Sequence, residues 1–155
     1  RLLMGTMPTA ALQPGSVALV TDSGNLGAEA GFRMCEAGMG QSLYLDIGPG
    51  PIKGTRMAAL PEFMASDSDT RAIALLESPH SIGDEDFNTG IQGLVREKPV
   101  MAYIPGRTGD ASLSPQAPAH PDAPDRESRV AALAASGVTV YNSLGALIAA
   151  LKAAV

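Results

Sequence analysis

The sequence predicts a doubly wound α/β domain, a five-stranded parallel sheet in a three-layer α/β/α arrangement, on three observations. Strand-length apolar runs alternate with stretches of helical period five times along 155 residues. The run Ala72-Ile-Ala-Leu-Leu is continuously apolar, as a strand covered on both faces requires. Clusters of Gly and Pro fall where one period gives way to the next. Five β-α units with right-handed crossovers form an open sheet, for which the flavodoxin-like order 2-1-3-4-5 is expected.

Taken in order, Pro14 and Gly15 end a loop and Val17 to Val20 form the first strand. Ser23-Gly24-Asn25 then opens a helix with apolar positions Leu26, Ala30 and Met34, stopped by Gly38 and Gly40. Gln41 to Ile47 is the second strand, ending at Gly48. Beyond the loop 48–54, Thr55 caps a helix with Met57, Leu60, Phe63 and Met64 on its apolar side, and Pro61 in its second turn is expected to bend it. The third strand ends at Glu77, and a helix from Asp84 or Glu85 runs through Phe87, Ile91 and Leu94 to Lys98. Pro99 to Ile104 is the fourth strand. A proline-rich loop, 105–125, has the length of a functional or disordered segment. Glu127 to Ser136 forms an Ala-rich helix, Val138 to Tyr141 the fifth strand, and Ser143 caps the last helix, whose Ala146, Ala149, Ala150 and Ala153 make a small flat face.

A chain this long supports one domain with its own core, and 45% hydrophobic with 17% charged residues suits a globular protein. A net charge of −5 with no Lys/Arg cluster excludes a nucleic-acid surface. No apolar run reaches membrane-spanning length and no signal-peptide pattern opens the chain, so a soluble, cytoplasmic protein is expected. Beginning at Arg1, the chain is expected to be part of something longer. Cys35, beside Met34 on the first helix, is expected to be a small core residue rather than a nucleophile. Two histidines and one cysteine offer no metal-ligand spacing, and Gly24 and Gly27 lack the dinucleotide-binding spacing.

The site is expected at the carboxyl ends of the strands, in the loops 21–25, 48–54, 77–83 and 105–125. The turn at 21–26 is its centre, because the free N–H groups of a helix start, with the helix dipole, favour an anion there. Ser23, Gly24 and Asn25 are therefore the phosphate-binding candidates.

Several short motifs in order give a resemblance. Met4-Gly5-Thr6-Met7-Pro8 leads in, followed by Ser23-Gly24-Asn25-Leu26, Gly38-Met39-Gly40-Gln41-Ser42, Ile47-Gly48 with Pro51-Ile52 and Gly54, and Lys98-Pro99-Val100 with Tyr103-Ile104 and Gly106. On these motifs the chain resembles the CoA-ligase domain of the succinyl-CoA synthetase alpha subunit and of the NDP-forming acyl-CoA synthetases. The resemblance makes residues 1–13 an incoming linker and 14–155 the ligase domain. It implies an enzyme that joins a carboxylic acid to CoA through a phosphohistidine while a nucleotide triphosphate is cleaved. His120 would be that catalytic histidine, Glu77 the acid that orients it, and the helix at Ser23-Gly24-Asn25 the holder of its phosphate. CoA, ATP or GTP and Mg²⁺ are implied for the complete enzyme. The implied partners are a Rossmann-type CoA-binding domain and an ATP-grasp domain or subunit in an oligomer.

The chain departs from the family pattern around His120. Ala119 and Pro121 flank it where the family has Gly-His-Ala-Gly, the loop is short, and Asp122 and Asp125 add negative charge. Prolines remove the N–H donors that glycine-rich loops turn toward phosphate. Asp22, just before Ser23, is expected to satisfy the helix dipole and compete with phosphate. These departures support an alternative, a family homologue that has lost the relay and serves as a docking or regulatory module or supports another acyl transfer. Glu77 is then a solvated strand-end residue, and His120 and His80 are solvated loop residues.

Overall fold

A computed structural model describes residues 5, 7–48, 54–55, 57–78, 85–106 and 125–155. Among these, β1 (Pro14–Thr21), β2 (Gln41–Asp46), β3 (Ala72–Leu76), β4 (Val100–Tyr103) and β5 (Thr139–Tyr141) form one sheet. All neighbours pair in parallel, in the expected order β2-β1-β3-β4-β5. The helices are α1 (Gly24–Glu36), α2 (Leu60–Ser66), α3 (Glu85–Leu94), α4 (Arg126–Ala135) and α5 (Leu144–Ala154).

Alternation along the strands divides the core into two layers. Ala18 and Val20 of β1, Ile73 and Leu75 of β3, and Val100 and Ala102 of β4 pack under α2, α3 and α4, with Phe87, Ile91 and Leu133 fully covered. The intervening Val17, Leu19, Ala72, Ala74, Leu76 and Met101 face α1 and α5 and meet Met34, Leu147 and Leu151. Because the side-chain period is two, a one-residue slip of β1 would exchange these faces, so the register is strongly specified.

The amino ends of the strands are closed by backbone contact and hydrogen bonds. Pro14 and Gly15, expected in a loop, belong to β1, whose register against β2 shifts between Pro14 and Ala18. Gly15 lies directly on the Gly40 backbone, and a Cβ at either residue would meet backbone atoms of the other strand. Gln41 Nε2 donates to Ala11 O (3.3 Å) and Gln13 Nε2 to Met39 O (2.6 Å), fastening the segment before β1 to the fold. Ser42 Oγ donates to Thr70 Oγ1, whose own hydrogen goes to Asp67 Oδ2, both at 2.6 Å. Lys98 Nζ donates to Met64 O and Asp67 O, both at 2.7 Å, and so satisfies carbonyls at the end of α2. The motifs at 38–42 and 98–100 thus hold the sheet together at the end away from the expected site.

Three local expectations are corrected. The segment after Thr55 starts as a 3₁₀ turn, Met57–Ala59, and Pro61 lies in the first turn of α2, where its missing N–H is harmless, so it starts the helix instead of bending it. Phe63 is 54% exposed and is not on the covered side. Cys35 is only half-buried, while its neighbour Met34 is fully covered.

Candidate functional site

The carboxyl ends of the two central strands carry the site. Thr21 pairs with Leu76, and Asp22 N then donates to Leu76 O (3.3 Å), so the two strands leave the sheet side by side. Thr21 Oγ1 accepts from Ser23 N (3.0 Å) and donates to Ser23 O (3.1 Å), which locks the turn. Ser23 O also accepts from Gly27 N (2.8 Å), the first bond of α1. Ser23 gives no side-chain cap and the first turn of α1 holds no acidic residue of its own, so the partial positive charge of the helix start is met from outside the helix, by the Asp46 carboxylate at Gly24 or by an anion that takes its place.

Asp22 is 1% exposed and directed at β3 rather than at α1. Its Oδ1 accepts from Ser78 N (2.7 Å) and its Oδ2 from Ser78 Oγ (2.9 Å). The expectation that Asp22 satisfies the dipole of α1 is therefore corrected, because its hydrogen bonds go to Ser78, two residues past β3, and not to the first turn of α1. The carboxylate that approaches α1 is Asp46 at the end of β2, since a Cβ at Gly24 would lie 2.9 Å from Asp46 Oδ2. Asp46 Oδ1 also accepts from Gly48 N (3.0 Å). A groove of about 1190 Å³ runs from Gly24, Asn25 and Asp46 along the edge strand β2 to Met7 and Pro8.

Glu77 follows Leu76 and is 7% exposed, so it is not a solvated strand end. Arg129 of α4, 4% exposed, forks onto it, with Nε 2.6 Å from Oε2 and Nη2 2.8 Å from Oε1. Arg129 Nη1 donates to Asn88 Oδ1 of α3 (2.8 Å). One turn earlier, Arg126 Nε donates to Ile104 O (3.0 Å), just past β4. Asp125 caps α4 by accepting from Ser128 N (2.8 Å). The proline-rich loop is therefore rooted at both ends beside Glu77. In the sequence, His120 stands six residues before Arg126.

The family model described as succinyl-CoA ligase like flavodoxin domain matches residues 14–154. The chain belongs to this succinyl-CoA ligase family. It is 34% identical over 107 residues to the mitochondrial succinate–CoA ligase [ADP-forming] subunit alpha-2 of Trichomonas vaginalis, covering 68% of this chain and 35% of the relative. The ADP-forming sulfoacetate-CoA ligase subunit SauD of Bilophila wadsworthia is 28% identical over 109 residues, 68% of this chain and 37% of the relative. The chain spans about a third of the length of these relatives. Among solved structures, the dinucleotide forming acetyl-coenzyme A synthetase 1 of Ca. Korarchaeum cryptofilum, in complex with phosphate and ADP, superimposes with a TM-score of 0.70. At 20% identity, over 92% of this chain and 30% of that one, it shows the shared fold.

In this succinyl-CoA ligase family domain the structure brings Glu77, through Ser78 and Asp22, next to the turn that starts α1 at Gly24. His120, His80, Pro121, Asp122 and the residues 49–53 lie outside the described residues. Among the described residues no cluster of His, Cys, Asp or Glu could hold a metal ion, and no helix is long and apolar enough to cross a membrane. Sequence reasoning missed Arg129. The available signal was an arginine one helical turn before Leu133, on the side of α4 that the Ala-rich pattern assigns to the core.

Proposed function

We propose that this chain is the ligase domain of an NDP-forming acyl-CoA synthetase, joining a carboxylic acid to CoA through a phosphohistidine at His120. The observation that carries the proposal is the convergence of an uncapped helix start and a buried, fixed carboxylate at the roots of the His120 loop. A ring nitrogen of His120 takes the terminal phosphoryl group from the nucleotide, releasing the diphosphate, and passes it to the substrate carboxylate. The CoA thiolate then attacks the acyl phosphate carbonyl and inorganic phosphate leaves. Glu77 accepts a hydrogen bond from the other ring N–H, which selects the tautomer, and the backbone N–H groups at Gly24 and Asn25 face the phosphate. Each oxygen of a carboxylate has two acceptor sites, so the Arg129 fork leaves Glu77 able to accept further bonds.

In the complete enzyme, a cytoplasmic oligomer, CoA falls to a Rossmann-type domain and ATP or GTP with Mg²⁺ to an ATP-grasp domain or subunit. The sequence coverage supports this division, since about two thirds of each relative lies outside the match. The test is mass spectrometry of the complete protein after exposure to ATP, Mg²⁺, a candidate acid and CoA, under alkaline conditions that preserve phosphohistidine. Phosphate on His120, absent from His120→Ala, is the expected result. A folded, partnered protein without it would establish the relay-free homologue.

A further inference from the structure

We propose that Arg129, held by Asn88, is the positioning residue for Glu77. This rests on the phosphohistidine reading above, since Glu77 matters to the chemistry only as the acceptor for the histidine. Three elements converge on one carboxylate: β3 delivers Glu77, α4 delivers the guanidinium, and α3 fixes the guanidinium through Asn88 Oδ1. A buried ion pair is weak evidence for a stabilising role, because well-packed apolar residues of the same volume do as well. The planar fork does something an apolar pair cannot. It sets the plane of the carboxylate and supplies a permanent counter-charge, leaving one acceptor site on each oxygen directed away from the fork. Lysine at this position would keep the charge but not the plane.

The same helix carries Arg126, whose bond to Ile104 O closes the root of the loop. The link between the end of β4 and the start of α4, and the orientation of the acid, are thus set by two arginines one turn apart. An acceptor misplaced by about 1 Å lowers the rate of a positioned transfer on the order of 10²-fold.

The experiment uses the complete enzyme with Arg129→Met, Arg129→Lys and Asn88→Ala, each normalised to folded protein by circular dichroism. Expected are a kcat for acyl-CoA formation lowered about 100-fold in Arg129→Met and about 10-fold in Asn88→Ala, with KM values for acid, CoA and nucleotide within about 2-fold of wild type. Arg129→Lys is expected to recover part of the loss. Phosphate incorporation at His120 should slow in parallel. If Arg129→Met fails to fold, the half-buried Asn88→Ala and the conservative Arg129→Lys decide. Wild-type kcat and labelling rates in both overturn the positioning role and leave the phosphohistidine intact. A wild-type enzyme that takes no phosphate on His120 overturns the function and this inference with it.

Discussion

Asp22 and Ser78, 56 residues apart in sequence, are joined by two hydrogen bonds, Oδ1 to the Ser78 backbone N at 2.7 Å and Oδ2 to Oγ at 2.9 Å. The pair clamps the turn that opens α1 to the segment that leaves β3 through Glu77, so the two halves of the site are joined at their base. Asp22→Ala leaves the half-buried Ser78 backbone donor without its acceptor and is expected to destabilise the domain by about 1 to 2 kcal/mol. Ser78→Ala loses only the hydroxyl bond, about 1 kcal/mol. Urea unfolding distinguishes them, and equal midpoints for wild type and Asp22→Ala would remove the clamp from the account.

Gly40 is a test of the other end of the sheet. Its Cβ position is filled by the carbonyls of Gln13 and Pro14, which belong to backbone and cannot swing away. Gly40→Ala is expected to destabilise by about 3 kcal/mol or more, through overpacking. Gly93 on α3 has open space at the same position, so Gly93→Ala should stabilise by about 0.5 kcal/mol through the unfolded state. Chemical denaturation of the two variants side by side checks the contrast.

The fold was legible because its determinants are local. Periodicity marked each element, the Gly38 stop and the Ser143 cap lie where the chain chemistry put them, and the apolar run of β3 placed it at the centre of the sheet. The side-chain arrangement of the site was not, because it depends on pairings across long sequence separations. Nothing local tells Asp22 to turn toward Ser78, or Arg129 toward Glu77 at a separation of 52 residues. Asp46 shows the same difficulty. Its approach to Gly24 follows from the β1–β2 register, which fixes the end of β2 against Thr21.

Asp125, at the loop-to-helix junction, makes α4 sensitive to acid. The Ser128 backbone N–H, and then its hydroxyl, hold the Asp125 carboxyl below its usual range. Because the folded value is depressed, the cap contributes stability above the unfolded value, near pH 3.9, and loses it as pH falls through the folded value. Asp125→Asn keeps an acceptor oxygen but does not titrate. The difference in thermal midpoint between wild type and Asp125→Asn should therefore shrink or reverse between about pH 5 and pH 2. A constant difference across that range would assign the acid sensitivity to other carboxylates.

Tyr44 sets the behaviour at the alkaline side. It stands on β2 with its hydroxyl over Gly27 of α1, where a side chain at position 27 would collide with it and with Thr21. Burial, reinforced by the Asp46 charge, pushes the Tyr44 phenol up from 10.0 to about 12. Between these values the unfolded chain gives up the proton while the folded chain keeps it, so Tyr44 makes stability fall as pH rises from about 10 to about 12. Tyr44→Phe removes that titration and should flatten this part of the urea-midpoint profile. Asp46→Asn relieves the repulsion and should lower the phenol toward 10, which ultraviolet difference titration reads directly. An unchanged alkaline decline in Tyr44→Phe would place the sensitivity at another group and leave Asp46 acting on α1 alone.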